Sequence, residues 1–113
     1  MPRSYFALDL HDDPALIAEY EYWHRPENIW PDIVKALRSA GIEQLEILRC
    51  GKRLVMVIEA PADFSLARVA QGDPDRVQAW ETVMSRYQRT LPEAGEGEKW
   101  VPFKRIFSLS DVP

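Results

Sequence analysis

The stretch Ile42–Glu59, IEQLEILRCGKRLVMVIE, decides the fold. Two aliphatic runs, Ile42–Arg49 and Arg53–Glu59, flank Cys50-Gly51-Lys52, a short glycine-bearing link that reads as a hairpin turn. From Leu54 to Ile58 the second run is apolar without alternation, so that strand is expected to be covered on both faces. Upstream, Ser4–Leu10 sets Phe6, Leu8 and Leu10 at period two and predicts a first strand. Asp13-Pro14 is a helix start, a capping side chain followed by a proline where no N–H is needed. That helix is expected to run to about His24, because Pro26 removes a donor and crowds the preceding turn. A second helix opens near Pro31 with Ile33, Val34 and Leu37 inward, and Gly41 supplies the left-handed stop.

Downstream of the hairpin, Pro61–Ala70 predicts a short helix. Asp73-Pro74 repeats the earlier start signal, and Val77, Trp80, Met84, Tyr87 and Leu91 follow at helical spacing until Pro92. Glu93–Glu98 is an acidic, solvated loop. Trp100–Leu109 is the expected last strand, with Phe103 and Phe107 as its large apolar residues and Pro102 marking its start as a sheet edge. The order is β-α-β-β-α-β with the first helix broken in two, a ferredoxin-like α+β sandwich formed as one domain over residues 1–113. Such a sheet has helices on one face and leaves the other open. A strand apolar on both sides then calls for a second copy packed face to face, a dimeric α+β barrel with two-fold symmetry.

Composition removes several function classes. Hydrophobic residues make up 46% and charged residues 28%, and the net charge of -4 argues against nucleic-acid or anionic-membrane partners. The opening residues do not read as a secretory leader and no apolar run is long enough to span a bilayer, so a soluble, cytoplasmic protein is expected. A lone Cys50 excludes an intramolecular disulfide. With two histidines and no acidic ligand spacing, neither a metal nor another cofactor is expected.

The chemistry concentrates in Tyr20–Trp30, YEYWHRPENIW, where a proline and two tryptophans crowd a histidine. Tyr20 and His24 are four apart and share one helix face. An imidazole gives and takes protons near neutral pH, which suits general acid–base catalysis. The same spacing also suits a histidine that merely favours the helix dipole beside a core tyrosine. His11 lacks such a setting and reads as a loop residue. Trp23, Trp30, Trp80 and Trp100 are many indoles for so short a chain; each fits a core, and together they fit the walls of a small-molecule pocket. Glu81 lies about 100° around the helix from Trp80, placing it either at the edge of the same cavity or in water.

Tyr20-x3-His24, I-W-P at Ile29–Pro31, Gly41 and the L-V-M-V-I-E strand resemble the L-rhamnose mutarotase family, and the likeness continues through V-Q-A-W at Val77–Trp80 and R-I-F-S-L near the end. The resemblance implies a dimeric ferredoxin-like enzyme that interconverts the α and β anomers of a 6-deoxy sugar without cofactors. It implies His24 as proton donor, Tyr20 as a sugar contact and Trp80 as one of a pair of pocket tryptophans. Two positions depart from it. A sugar-contacting tyrosine of the rhamnose enzymes is Leu45 here, and the second paired tryptophan is Glu81. Because pocket hydrogen bonds discriminate between sugars that differ in one hydroxyl, these departures point to L-fucose or a related L-sugar rather than L-rhamnose. Two other readings stand beside this one: a cofactor-free monooxygenase or isomerase on the same scaffold, and a non-enzymatic ligand-binding dimerisation module.

Overall fold

The computed structural model describes residues 2–113. Strand β1 (Arg3–Leu10) is followed by helices α1 (Pro14–Trp23) and α2 (Pro31–Ser39), the hairpin β2 (Gln44–Cys50) and β3 (Arg53–Glu59), helices α3 (Ala67–Gly72) and α4 (Pro74–Ser85), and two short strands, β4 (Gln88–Arg89) and β5 (Val101–Pro102). The sheet is antiparallel in the order β2-β3-β1-β4, with β5 also paired to β1. This is the ferredoxin-like arrangement of an α+β fold.

The start signals act as expected. Asp13 accepts from the N–H groups of Ala15 and Leu16, and Asp73 accepts from that of Arg76. Each carboxylate thereby satisfies donors that the first helical turn leaves free. Gly41 ends α2 with a φ of 92°, a conformation a side chain would strain. Phe6, Leu8 and Leu10 alternate with Tyr5, Ala7 and Asp9 along β1, and only the first set faces the helices. The main core gathers Leu10, Leu54, Tyr20, Ile33, Trp80, Met84 and Tyr87 between the sheet and the helices. A smaller cluster around Ile42, Met56 and Ile58 is sealed by Phe64 and Leu66.

Four expectations need correction. Within the chain β3 is covered on one face only: Leu54, Met56 and Ile58 are buried, whereas Val55 and Val57 on the other face are half-buried. An apolar run thus marks what a strand can bury rather than what one chain covers. The helix expected at Pro61–Ala70 forms instead at Ala67–Gly72. Phe64 N–H turns back to the Pro61 carbonyl, and the chain before α3 spends its length seating Phe64 and Leu66 on the small cluster.

Helix α4 ends at Ser85, two turns before Pro92. The N–H groups of Arg86 and Tyr87 bond to Val83 and Met84, a tightening of the last turn, after which Gln88 and Arg89 pair with Leu10 and Asp9. Tyr87 and Leu91 remain buried, so an inward stripe at helical spacing is shared between a helix and the strand after it. The free edge of β1 wins these residues because its N–H and C=O groups require partners. The final strand is correspondingly short. Val101 and Pro102 face Ala7 and Phe6, Phe103 N–H still reaches the Tyr5 carbonyl, and beyond it Ile106 and Phe107 are 89% and 69% exposed. Residues 90–100 therefore loop out of what would be one continuous fourth strand, leaving near Pro92, whose nitrogen cannot extend a ladder.

Candidate active site

Between the helices and the concave side of the sheet lies a cavity of about 600 Å³, in the range of small-molecule sites. Tyr20 and His24 line it from α1, Trp80 and Glu81 from α4, Leu45 and Gln88 from the sheet, and Trp100 from the looped-out segment. Every position singled out for sugar contact or proton transfer thus lies in one wall or another.

Local sequence explains the histidine. Helix α1 stops before Pro26, and His24 caps it with its own N–H on the Glu21 carbonyl at 3.1 Å. The Tyr20 carbonyl, among those left over at a helix end, is met by the imidazole Nδ1 at 2.7 Å. A carbonyl only accepts, so Nδ1 carries the hydrogen and Nε2 is left as the nitrogen free to exchange a proton. The imidazole is further boxed by aromatic rings, Tyr20 at 4.4 Å and Trp80 at 5.5 Å between centroids. Burial pulls its pKa below the usual histidine value, and the hydrogen bond to Tyr20 opposes the shift. At neutral pH the ring is neutral and Nε2 presents a lone pair.

Tyr20 is buried and its phenol is pushed up to about 12, chiefly by desolvation; a hydrogen bond from Gln88 lowers it and the Glu81 charge raises it. The phenol stays protonated throughout the physiological range. Gln88 Nε2 donates to its oxygen at 3.4 Å, which leaves the phenolic hydrogen available to another acceptor. Glu81 is at the cavity and not in open water, held by Lys99 Nζ at 2.6 Å, and Lys99 also reaches Ser85 Oγ at 3.3 Å.

The aromatic surroundings are not quite those expected. Trp23 turns away from the cavity and donates through Nε1 to the Tyr87 hydroxyl at 3.1 Å. Trp30 stands behind the site, packed edge-on against Trp80 at 5.2 Å with the Arg76 guanidinium over its ring. His11 is an exposed residue after β1, as expected. Gln88 and Lys99 were not among the candidates. Gln88 sits on the expected helix and Lys99 between the expected solvent loop and the last strand, so neither carries a periodicity that points inward.

Comparison with known proteins gives the family. A family model described as L-rhamnose mutarotase matches residues 3–109. The chain belongs to the L-rhamnose mutarotase family. A relative from Xanthomonas campestris pv. campestris called L-fucose mutarotase is 52% identical, over 99% of this chain and 91% of its own. One from Acidiphilium cryptum called L-rhamnose mutarotase is 33% identical, over 96% of this chain and 99% of its own. Among solved structures, an L-rhamnose mutarotase from Formosa agariphila superposes with a TM-score of 0.70 at 18% identity, over 96% of this chain and 99% of that one, a likeness of fold. Among the described residues of this mutarotase-family chain, no helix is long and apolar enough to cross a membrane.

Proposed function

We propose that this protein interconverts the anomers of a 6-deoxy-L-sugar, with L-fucose preferred, through His24. Anomer exchange is the activity after which the family is named, and membership in it does not favour the oxygenase or the non-enzymatic module. The observation that supports the residue assignment is the imidazole pinned through Nδ1 in an aromatic cavity, which leaves Nε2 free for proton transfer.

The reaction balances on that one nitrogen. Nε2 takes the proton of the anomeric hydroxyl as C1–O5 breaks and the C1 carbonyl forms. The imidazolium, now the general acid, returns the proton to the ring oxygen. Rotation about C1–C2 and the reverse transfers close the ring on the other face of the aldehyde. No net proton or electron is gained or lost. The protonated Tyr20 phenol orients the sugar as a donor, and Trp80 offers an apolar ring for its carbon face. A positioned acid–base group of this kind contributes roughly 10²–10⁴-fold.

The preference for L-fucose rests on Leu45 and Glu81, which both line the cavity, and on the name of the 52% identical relative. Saturation-transfer NMR of L-fucose and L-rhamnose, with and without protein, tests the reading. Faster exchange of L-fucose is the expected result, and no acceleration of either sugar rejects the activity.

We further propose a cytoplasmic homodimer. Tyr5, Ala7, Leu48, Val55, Val57, Val101 and Phe103 fall on the helix-free face by the register of the sheet, and Tyr5, Leu48 and Phe103 are 44%, 55% and 53% exposed. An apolar face of this kind favours association. The exposed thiol of Cys50 is compatible with a reducing compartment. Sedimentation at micromolar concentration should give twice the chain mass.

A further inference from the structure

Gln88 stands where the sheet should be apolar. Its partner in the ladder is Leu10, whose side chain enters the main core, and directly opposed residues share a face. The glutamine is therefore turned toward the helices, and it lines the cavity beside Tyr20. One end of its amide is used: Nε2 donates to the Tyr20 hydroxyl at 3.4 Å. The other end is not. Oε1 is buried with no hydrogen-bond partner, the sole such side-chain atom among the described residues.

An acceptor buried without a donor destabilises the fold that holds it, whereas a shape-matched apolar group at the same place would not. The terminal torsion of glutamine is broad, so the amide plane can turn while Nε2 stays near the phenol. A half-turn that exchanged the two ends would pair Oε1 with the phenol and leave Nε2 in its place, so in either orientation the protein itself partners only one end of Gln88.

We propose that Gln88 is a sugar-binding residue, its Oε1 accepting a hydrogen bond from one ring hydroxyl of the substrate while Nε2 holds Tyr20. The bound sugar supplies the donor that the fold lacks. The same contact aims Tyr20: its oxygen is occupied by Gln88, so its hydrogen points to the ligand. This assignment rests on the sugar-binding reading of the cavity and adds a determinant of which hydroxyl pattern is accepted.

A double-mutant cycle between protein and ligand tests it. Dissociation constants are measured for the 6-deoxy-L-sugar that the wild-type protein exchanges faster and for its 2-, 3- and 4-deoxy analogues. The same set is measured with Gln88→Met, or with Gln88→Leu if the longer side chain does not fold. One analogue should bind the wild-type protein about tenfold more weakly than the parent sugar. Gln88→Met should weaken the parent sugar by about the same factor and bind that analogue no worse than the parent. The free variant should melt close to the wild-type protein, because losing the unpartnered Oε1 offsets losing the Nε2–Tyr20 hydrogen bond. Losses that multiply for all three analogues overturn the role of Gln88, even though the wild-type protein binds and exchanges the sugar. A wild-type protein that exchanges neither L-fucose nor L-rhamnose overturns the underlying reading as well.

Discussion

The two sides of the cavity are built on different principles. On the α1 side, His24 is fixed by a backbone carbonyl and closed in by two rings, and its charge state is set by burial. On the α4 side, Glu81 is held by Lys99, a partner on a long flexible stem, in a pair that is partly open to water. Coupling to a backbone group leaves little freedom in position or protonation. Coupling through two long side chains leaves both adjustable. In the proposed function the proton transfer falls on the rigid side, and Glu81, one of the two residues proposed to choose the sugar, on the adjustable one.

Removing the histidine is the most severe way to break this division. His24→Ala should fold and lose anomer exchange by roughly 10²–10⁴-fold, as measured by saturation transfer. Exchange at the wild-type rate would take proton transfer away from the rigid side altogether.

Changing the opposite side should alter selectivity instead of turnover as such. Leu45→Tyr with Glu81→Trp restores the two aromatic groups of the rhamnose-type pattern and should shift the L-fucose to L-rhamnose rate ratio by about an order of magnitude toward rhamnose. An unchanged ranking in a variant that still exchanges sugar would show that Leu45 and Glu81 do not choose.

Proton linkage gives the smallest effect and sharpens the rigid half of the comparison. The folded pKa of His24 is lowered, so above the ordinary value near 6.5 the ring is neutral whether folded or not and contributes no pH dependence. As pH falls below that value the unfolded chain takes up a proton more readily than the folded one, and stability is lost down through the folded pKa. The melting temperature of wild-type protein should therefore fall more steeply than that of His24→Asn between pH 7 and pH 5. Parallel curves would mean that the imidazole is not held in a dry setting.

How much of this was legible in the residues differs along the chain. The hairpin, both Asp-Pro helix starts and the Gly41 stop rest on local chemistry, and each acts where it was read. The Tyr20-His24 pair was legible for the same reason, since four residues on one helix fix their own geometry. Whatever depended on a distant partner was not. The stripe from Val77 to Leu91 is satisfied equally by a helix and by a helix that yields to a strand, and only the open edge of β1 decides between them. Trp100–Leu109 has the composition of a strand, but a single chain offers it ladder partners only as far as Phe103. Gln88 was hidden by the first of these ambiguities, because its inward direction exists only in the register opposite Leu10.

The excursion of residues 90–100 from the fourth strand has an evolutionary consequence. Arg89 and Val101 stand opposite Asp9 and Ala7, so its two ends are anchored only two residues apart along β1, about 7 Å. Doubling the length of a flexible segment between fixed anchors adds only about 0.6 kcal/mol of closure entropy. The largely exposed stretch from Pro92 to Glu98 is therefore where length can change at little cost: descendants can lengthen or rewrite it while Leu91 stays buried and the sheet, and the histidine on the far side, are inherited unchanged.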